Sequence, residues 1–392
     1  MLTIQPNDGY EKYLFDRAFE TCTPISGTFE LLPVCNMDCR MCYIRMSPEE
    51  MKRQGKILTA EEWLRIGRQA AEKGALFILL TGGEPLLHPE FREIYKGLRA
   101  LGICVSINTN GTLITEEIAD MWQGDLPRRV NISLYGSSDE IYGDFCRNPK
   151  GFTQVMRGIR LLKERNIPVK LNCTLTPWNR DDMDNIIRVS EELEIPVSMP
   201  TYLFPPARKA GCTGSCVTVP EGYRLSSKEA AKEQIKALYR AFHEDQDYEQ
   251  NLQEILDEIN SREKGREERE EGDVSPPGGF LCSAGVRSFW VNWKGELTPC
   301  GMMQTPVRNL REQNFSSAWE EIHEESSRIF TSTECFNCKY RKVCQTCAAS
   351  ARAETGDDGN IVPYHCEMSR EYERLIKKYL DEIRKEKYEN KQ

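Results

Sequence analysis

The chain has 392 residues, 39% of them hydrophobic and 29% charged, a composition typical of a globular protein with two or three domains or one barrel with an appended module. No apolar run reaches the ~20 residues that span a bilayer, and the N-terminal stretch lacks the apolar core of a signal peptide, so we expect a cytoplasmic protein without a membrane partner. The formal net charge of −9 disfavours a nucleic-acid partner, because phosphate binding needs a basic surface.

Strand-like and helix-like segments alternate between residues 28 and 200. Branched apolar runs lie at 28–34, 76–80, 103–107, 129–134, 168–175 and 196–199, with amphipathic stretches at 60–73, 115–123, 151–166 and 181–193. Thr59 and Glu62 predict a capping box at one helix start, and Gly74 predicts the end of that helix. Six strands alternating with helices predict an α/β fold, a partial (β/α)6 TIM-type barrel with its chemistry at the C-terminal strand ends.

The first cysteine cluster directly follows the first predicted strand. Cys35, Cys39 and Cys42 form a C-x3-C-x2-C pattern, and Tyr43 follows the last of them. Three thiolates on one loop can hold three irons of a cubane and leave the fourth iron open for a ligand. Structural zinc is less favoured because it takes four ligands and no further Cys or His lies nearby, although a distant cysteine could complete such a site.

Glycine-rich or polar segments also mark the ends of the following strands. Glycines allow the backbone to approach a ligand closely, and a carbonyl or carboxylate can accept a hydrogen bond from an ammonium group. Taken singly, each segment is as compatible with a turn or a structural role as with a site. The residues are Gly82, Gly83, Glu84 and Pro85 after the second strand, Asn108 and Asn110 at the end of the third, Ser133 on the fourth, and Arg147 beyond it.

The cysteine spacing and these strand-end segments, in this order over residues 28–200, closely resemble the radical-SAM superfamily. The resemblance implies a [4Fe–4S] cluster on the three cysteines, with S-adenosylmethionine (SAM) bound at its open iron and contacted by Tyr43 and the strand-end residues. It further implies that Asn108 and Asn110 meet the ribose, and that Ser133 and Arg147 meet the SAM carboxylate. An electron from the reduced cluster would cleave SAM to a 5′-deoxyadenosyl radical, which removes hydrogen from a substrate.

Beyond the barrel the pattern changes. We predict an N-terminal extension at 1–27, the barrel at 28–215, a helical, charged linker at 216–278, a Cys-rich domain at 279–370 and a C-terminal helix at 371–392. In a reducing cytosol, dense cysteine clusters favour metal binding over disulfides. The Cys-rich domain holds seven cysteines: Cys282, Cys300, Cys335, Cys338, Cys344, Cys347 and Cys366.

By spacing alone, two of these cysteine pairs could form a zinc knuckle. The whole set resembles the SPASM module, which carries two auxiliary [4Fe–4S] clusters behind a radical-SAM barrel. The resemblance implies one cluster on Cys335, Cys338, Cys344 and Cys366. It implies a second on Cys282, Cys300 and Cys347, one ligand short. The chain departs from the module's pattern at Cys344-x2-Cys347, where the family has one residue more.

Cys212 and Cys216 lie in a Gly-Cys-Thr-Gly-Ser-Cys segment after the last barrel strand. One interpretation is a surface loop with incidental thiols. The other is a catalytic role, in which one of them supplies the missing cluster ligand or donates a hydrogen atom to a substrate radical. Cys104 and Cys173 lie within predicted strands and are expected to be small buried hydrophobic residues.

Enzymes of the SPASM branch mostly modify peptides or proteins, so the resemblance implies a peptide or protein substrate that is cross-linked, epimerised or oxidised. Lys294 stands where sulfatase-maturing members have Asp, which counts against that reaction. The 27 residues before the first predicted strand are too few for a leader-binding domain, so either a separate leader-binding protein or a short or leaderless substrate is expected. Flavodoxin or ferredoxin is the expected electron donor. A small-molecule oxidoreductase or epimerase, and a non-catalytic iron–sulfur or zinc protein, are the alternatives.

Overall fold

The computed structural model describes residues 9–206, 219–242, 248–267 and 282–389. Cys212 and Cys216 therefore lie outside the described residues. No helix in the described ranges is long and apolar enough to cross a bilayer.

Six parallel strands form the first part of the fold, and each pairs with the next strand along the chain. The predicted α/β fold with a parallel sheet is confirmed, and the strand bounds shift by a few residues from the apolar runs. The strands are β1 (Ser26–Glu30), β2 (Phe77–Thr81), β3 (Cys104–Thr109), β4 (Arg129–Ser133), β5 (Val169–Asn172) and β6 (Val197–Ser198).

Helices precede and connect these strands. The predicted capping box is confirmed at the start of the third helix, where Thr59 Oγ1 accepts from the Glu62 amide (3.2 Å) and Glu62 Oε2 accepts from the Thr59 amide (2.8 Å). Gly74 ends that region in left-handed backbone at φ 105°. The helices are α1 (Gly9–Glu20), α2 (Pro48–Gln54), α3 (Ala60–Glu72), α4 (Phe91–Ala100), α5 (Glu116–Gly124), α6 (Asp139–Phe145), α7 (Gly151–Glu164) and α8 (Met183–Leu193), with 3-10 turns at Pro85–Leu87 and Arg180–Asp182.

The two faces of the parallel sheet differ in chemistry. Successive side chains of a strand point to opposite faces, and one face is apolar and packs on the helices. It is built from Phe29, Ile78, Leu80, Val105, Ile107, Val130, Ile132 and Leu171, none more than 1% exposed. The other face, the inner face of the partial barrel, is largely polar and includes Ser106, Asn108, Asn131, Ser133, Lys170 and Asn172. A polar inner face suits a site for a polar ligand better than a packed core.

The Cys-rich region is joined to the barrel by its first strand. β7 (Ser288–Val291) pairs in parallel with β1, and β8 (Glu296–Thr298) and β9 (Arg308–Asn309) continue antiparallel, so the described residues form one nine-stranded sheet. The Phe289 ring lies against Gly27, where a Cβ atom would come within 3.0 Å of it. The sequence does not predict this continuity between the Cys-rich region and the barrel sheet.

The remaining elements are helical. They are α9 (Ser227–Phe242), α10 (Tyr248–Glu267), α11 (Phe315–Ser326), α12 (Thr333–Phe336), α13 (Ala348–Thr355) and α14 (Pro363–Glu389). Because β1 begins at Ser26 and α14 begins at Pro363, the expected domain limits at 27 and 370 fall inside elements. The domain limits themselves stay predictions.

Candidate functional site

The first cysteine loop leaves the C-terminal end of β1 and turns back on itself. The Met37 amide donates to Cys35 Sγ (3.4 Å), the Arg45 amide donates to Cys42 Sγ (3.3 Å), and the Cys42 amide donates to the Cys39 carbonyl (3.0 Å). The three cysteines are half-buried. The loop thus gathers three partly accessible sulfurs, a donor set that fits a cubane with one open iron.

The surroundings of these thiols favour their protonated form. Burial raises the pKa of Cys35 to about 12, and the neighbouring Glu84, Cys39 and Cys42 add to the rise. A hydrogen bond with the buried Cys146 thiol, followed by burial, raises the pKa of Cys39. Thiols in such surroundings stay protonated until a cation displaces their protons, so binding of iron would release protons.

Asn110, at the end of β3, reaches the cysteine loop. Its Nδ2 atom lies 3.6 Å from Cys35 Sγ and 2.9 Å from Asn36 Oδ1. Its Oδ1 atom accepts from the Thr112 amide (3.0 Å) and the Thr112 hydroxyl (2.6 Å). These bonds fix the amide orientation, so that the NH₂ group faces the sulfur.

Gly82 and Gly83 lie against the chain's own backbone. The Gly83 amide donates to the Leu32 carbonyl (2.7 Å), and a Cβ atom on Gly82 or Gly83 would come within 3.0 Å of the Leu32 or Val34 carbonyl oxygen respectively. Gly82 also has φ 149°, which side chains rarely adopt. The two glycines are therefore required by close packing on the segment that leads into the cysteines, a cause that the sequence did not reveal.

The buried Glu84 side chain links the segment after β2 to the end of β3. It is fully buried, and its carboxylate accepts from the Thr109 hydroxyl (2.7 Å), the Asn110 amide (2.8 Å) and the Leu86 amide (3.1 Å). Burial raises the pKa of this carboxyl to about 7. The three hydrogen bonds favour the charged form and lower the pKa, but burial has the larger effect. The carboxylate thereby holds the end of β3, with Asn110, beside the cysteine loop.

The other strand-end residues are distributed around the same edge. Asn108 Oδ1 accepts from Asn131 Nδ2 (2.8 Å), which links β3 to β4 across the inner face. Ser133 is half-buried at the end of β4, and Tyr43 is half-buried beside Cys42. Arg147 is exposed, and its backbone is left-handed at φ 58°, an uncommon conformation for a residue with a side chain. Pro85, next to Glu84, is buried.

Four cysteines of the second set surround one cavity. Cys335, Cys338, Cys344 and Cys366 line a space of about 100 Å³, together with His365 at the start of α14. Two of the cysteines come from α12 and the turn after it, one from the following loop and one from α14. The structure thus brings together the four cysteines that the resemblance assigned to one auxiliary cluster.

The other three cysteines are also neighbours. Burial raises the pKa of Cys300 to about 12, and the nearby Cys347 and Cys282 raise it further. Cys347 caps α13, where its sulfur accepts from the Ser350 amide (3.4 Å). Cys300 and Cys347 pack against a small apolar cluster that contains Met303. These contacts are consistent with a second, three-cysteine site.

Within the described ranges, no three Cys, His, Asp or Glu side chains converge as the ligands of a single metal ion do. The cysteines of a cubane bind different irons, and so they need not converge on one point.

A buried polar group between the barrel and the Cys-rich region was not foreseen from the sequence. Arg224 forms an ion pair with Glu354, with their side chains 10% and 11% exposed, and the Tyr202 hydroxyl donates to Glu354 (3.1 Å). The His365 ring lies 4.3 Å from the Tyr202 ring, and both of its nitrogens are buried without a hydrogen-bond partner in the structure. Burial lowers the pKa of His365 to about 3, and Arg224 lowers it further. Residues so far apart in the chain gave no local signal.

The parallel sheet with a three-cysteine loop at its edge agrees with the predicted radical SAM fold, and comparison with a known family supports this. Residues 29–189 match the family model described as the Radical SAM superfamily. Residues 29–189 therefore form a radical SAM domain, a match that implies S-adenosylmethionine and a [4Fe–4S] cluster as cofactors.

Curated relatives extend the similarity beyond this domain. An AdoMet-dependent heme synthase of Methanosarcina barkeri is 28% identical over 357 residues, which cover 88% of this chain and 97% of that protein. The sporulation killing factor maturation protein SkfB of Bacillus subtilis is 26% identical over 328 residues, which cover 82% of this chain and 70% of SkfB.

Solved structures share the fold at lower identity. The anSMEcpe structure with bound AdoMet and the Cp18Cys peptide has a TM-score of 0.65 at 18% identity, covering 91% of this chain and 98% of that one. Streptococcus suis SuiB bound to S-adenosylmethionine has a TM-score of 0.59 at 14% identity, covering 92% of this chain and 81% of that one. At these identities the likeness shows the fold alone.

Proposed function

We propose that this radical SAM enzyme oxidises or cross-links a peptide or protein substrate, and that two auxiliary [4Fe–4S] clusters in the Cys-rich region assist the reaction. The observation that carries the proposal is the cavity enclosed by Cys335, Cys338, Cys344 and Cys366. A radical SAM enzyme has no evident use for a four-thiol cavity apart from its three-cysteine loop unless that cavity holds a further cofactor.

The strand-end edge provides the parts that the first step requires. Cys35, Cys39 and Cys42 would hold the first cluster, which together with SAM supplies a hydrogen-abstracting 5′-deoxyadenosyl radical. Asn110 holds its amide toward Cys35 and would donate to the thiolate. The exposed guanidinium of Arg147 would bind the SAM carboxylate.

Other residues would orient SAM and the substrate. Ser133, Asn108 and Tyr43 would contact SAM from neighbouring positions, with Asn108 held by Asn131. The backbone of Gly82–Pro85 packs against the segment that leads into the cysteine loop and would contact SAM from there. The polar inner face of the barrel would bind the substrate and exclude water from it.

The auxiliary sites would take up the electron that remains on the substrate after hydrogen removal. Cys335, Cys338, Cys344 and Cys366 would form a fully ligated site. Cys282, Cys300 and Cys347 would form a site with an open position, which either Cys212 or Cys216 or a substrate group could fill. An external donor such as flavodoxin or ferredoxin would supply the first electron.

A peptide substrate is supported by the SPASM-like cysteine pattern and by the relative SkfB, whose name describes a maturation protein. A separate leader-binding protein would then present the peptide. The second candidate is a small organic substrate. It is favoured by the relatives named AdoMet-dependent heme synthase, one of which this chain matches over 97% of that protein's length.

Iron analysis of anaerobically reconstituted protein tests the auxiliary clusters. We expect about twelve irons per chain, and about four fewer after replacement of Cys335 and Cys338 by Ala. A matched control is Cys104→Ala in β3, which should leave the iron content unchanged. A wild-type content of about four irons would contradict the proposal of auxiliary clusters.

Substrate assays separate the two candidates. The reconstituted enzyme would be incubated with SAM, a reductant and either peptides encoded beside its gene or haem-precursor porphyrins, followed by mass spectrometry. A mass change in a peptide supports the first candidate, and a mass change in a porphyrin supports the second and overturns the first.

A further inference from the structure

His365 is a buried polar side chain for which the proposed function has no role. The residue is 1% exposed, and both ring nitrogens are buried without a hydrogen-bond partner among the described residues. An imidazole carries a proton on one nitrogen when neutral and on both when charged, so at least one of these atoms is a donor. Because a buried donor without an acceptor is unfavourable, the environment of this ring indicates a partner of another kind.

Two tyrosines hold the His365 ring in place. Its centroid lies 4.3 Å from that of the Tyr202 ring and 5.7 Å from that of the Tyr364 ring. Both tyrosines are themselves fixed, since the Tyr202 hydroxyl donates to Glu354 (3.1 Å) and the Tyr364 hydroxyl donates to the Leu225 carbonyl (3.0 Å). The imidazole therefore cannot turn toward solvent without disrupting these contacts.

The His365 ring borders two spaces. One is the four-thiol cavity of about 100 Å³, which the ring lines together with the four cysteines. The other is a smaller space of about 10 Å³, which the ring lines together with Gln234 and Gln345. The amide side chains of these glutamines can serve one ring nitrogen, and only the four-thiol cavity is left to serve the other.

Other donors of the four-thiol cavity already face one of its cysteines. The Thr346 backbone and the Ser369 side chain both donate hydrogen bonds to Cys344. Cysteine binds iron as the thiolate, and thiolates and bridging sulfides both accept hydrogen bonds. The sulfur atoms of a bound cluster would thus give the N–H group of His365 an acceptor.

We propose that His365 donates a hydrogen bond to the [4Fe–4S] cluster of the four-thiol cavity and raises the reduction potential of that cluster. The inference rests on the proposed function, because it requires a cluster on these four cysteines. Four thiolates complete the ligands of a cubane, so the imidazole is a hydrogen-bond donor and not a further ligand. A donor to cluster sulfur stabilises the reduced, more negative state, which forms when the cluster takes up the electron that remains on the substrate.

Histidine labelled with nitrogen-15 in its ring tests the contact in the reconstituted, reduced full chain. The sequence contains four histidines, which are His88, His243, His323 and His365. Pulsed electron paramagnetic resonance should detect a weak coupling between a ring nitrogen and the cluster whose signal disappears in the Cys335 and Cys338 double variant. The coupling should be lost in His365→Leu. It should persist when each of the other three histidines is replaced by Gln, which assigns it to His365 even if His365→Leu does not fold.

A redox titration of the same signal measures the effect of the contact. At the potential that half-reduces the wild-type cluster, His365→Leu should show about a fivefold lower ratio of reduced to oxidised cluster, as expected for the loss of one hydrogen bond. His365→Gln keeps an N–H donor and should recover most of that ratio. Met368, on the same helix, lines the smaller space but not the four-thiol cavity, so Met368→Leu is the matched control and should leave the ratio unchanged.

Four results would overturn the role of His365. They are the absence of a ring-nitrogen coupling to this cluster, a coupling as strong as that of a directly bound nitrogen, equal redox ratios in wild type and His365→Leu, and an equal loss in His365→Gln and His365→Leu. The last result would show that packing and not the donor sets the potential.

Iron analysis of the same preparation distinguishes failure of this inference from failure of the proposed function. Auxiliary iron without the coupling refutes the inference alone. A wild-type content of about four irons per chain refutes the proposed function and the inference together.

Discussion

The Nδ2 atom of Asn110 lies 3.6 Å from the Sγ atom of Cys35, and the Thr112 amide and hydroxyl hold the opposite end of the Asn110 side chain. The end of β3 therefore meets the cysteine loop through a directed N–H to sulfur contact. Donors to cysteine sulfur stabilise the reduced, more negative form of an iron–sulfur cluster and raise its reduction potential.

Asn110→Leu should consequently lower the potential of the first cluster. The loss of one hydrogen bond, about 0.5–1.5 kcal/mol, corresponds to roughly 20–65 mV for a one-electron couple. A redox titration followed by electron paramagnetic resonance measures this shift. Asn185→Leu on α8, where the amide bonds Asp182 instead, is the control and should leave the potential unchanged. Equal potentials in wild type and Asn110→Leu would refute the role of this contact.

Gly83→Ala should destabilise the cysteine loop, because the new methyl group would come within 3.0 Å of the Val34 carbonyl oxygen. The expected cost is about 1–3 kcal/mol, with a loss of iron retention during reconstitution. Gly124→Ala at the end of α5 is a matched control, since nothing lies within 4 Å of its added Cβ atom. Thermal unfolding and iron analysis of both variants provide the measurement, and similar behaviour of the two would count against the packing role.

Glu84 should make stability depend on pH. Burial raises the pKa of its carboxyl from 4.5 to about 7, so the folded protein binds a proton there more tightly than the unfolded chain does. The contribution is therefore fully present below about pH 4.5 and is lost as the pH rises through about 7, by up to about 3 kcal/mol. Glu84→Gln should lack this slope between pH 5 and pH 8, whereas Glu93→Gln on exposed α4 surface should retain it. Thermal unfolding at several pH values tests this, and parallel slopes for wild type and Glu84→Gln would show the sign or the cause to be wrong.

The ion pair between Arg224 and Glu354 should matter more than surface pairs do. Glu354→Gln leaves the guanidinium of Arg224 buried without its partner, at an expected cost of about 3–5 kcal/mol. The exposed pair of Lys228 and Glu367 is the control, and Lys228→Met should cost about 1 kcal/mol or less. Denaturant unfolding of both variants decides the comparison; a loss at Glu354→Gln no larger than at Lys228→Met would show that the buried pair adds no special stability.

Local sequence patterns predicted many of the strands and helices of the barrel, but few of its contacts with the rest of the chain. Alternating apolar runs and the capping box of Thr59 and Glu62 depend on neighbours in sequence, and both were predictable. The pairing of β7 with β1 joins segments more than 250 residues apart, for which a single sequence holds no register signal. The Arg224–Glu354 pair likewise spans 130 positions.

The candidate site also contains features that were predictable from the sequence and features that were not. The resemblance to the SPASM module assigned Cys335, Cys338, Cys344 and Cys366 to one cluster, and the structure gathers these four cysteines around one cavity. Spacing could not show that Gly82 and Gly83 are required by backbone packing, because that depends on where the cysteine loop folds back.

Formation of 5′-deoxyadenosine tests the central claim most directly. Protein reconstituted anaerobically with iron and sulfide, then reduced and mixed with SAM, should release 5′-deoxyadenosine. A variant with Cys35, Cys39 and Cys42 all replaced by Ala should release none while keeping the irons of the auxiliary sites. Absence of 5′-deoxyadenosine from fully reconstituted, reduced wild-type protein, or equal release by the triple variant, would contradict the account.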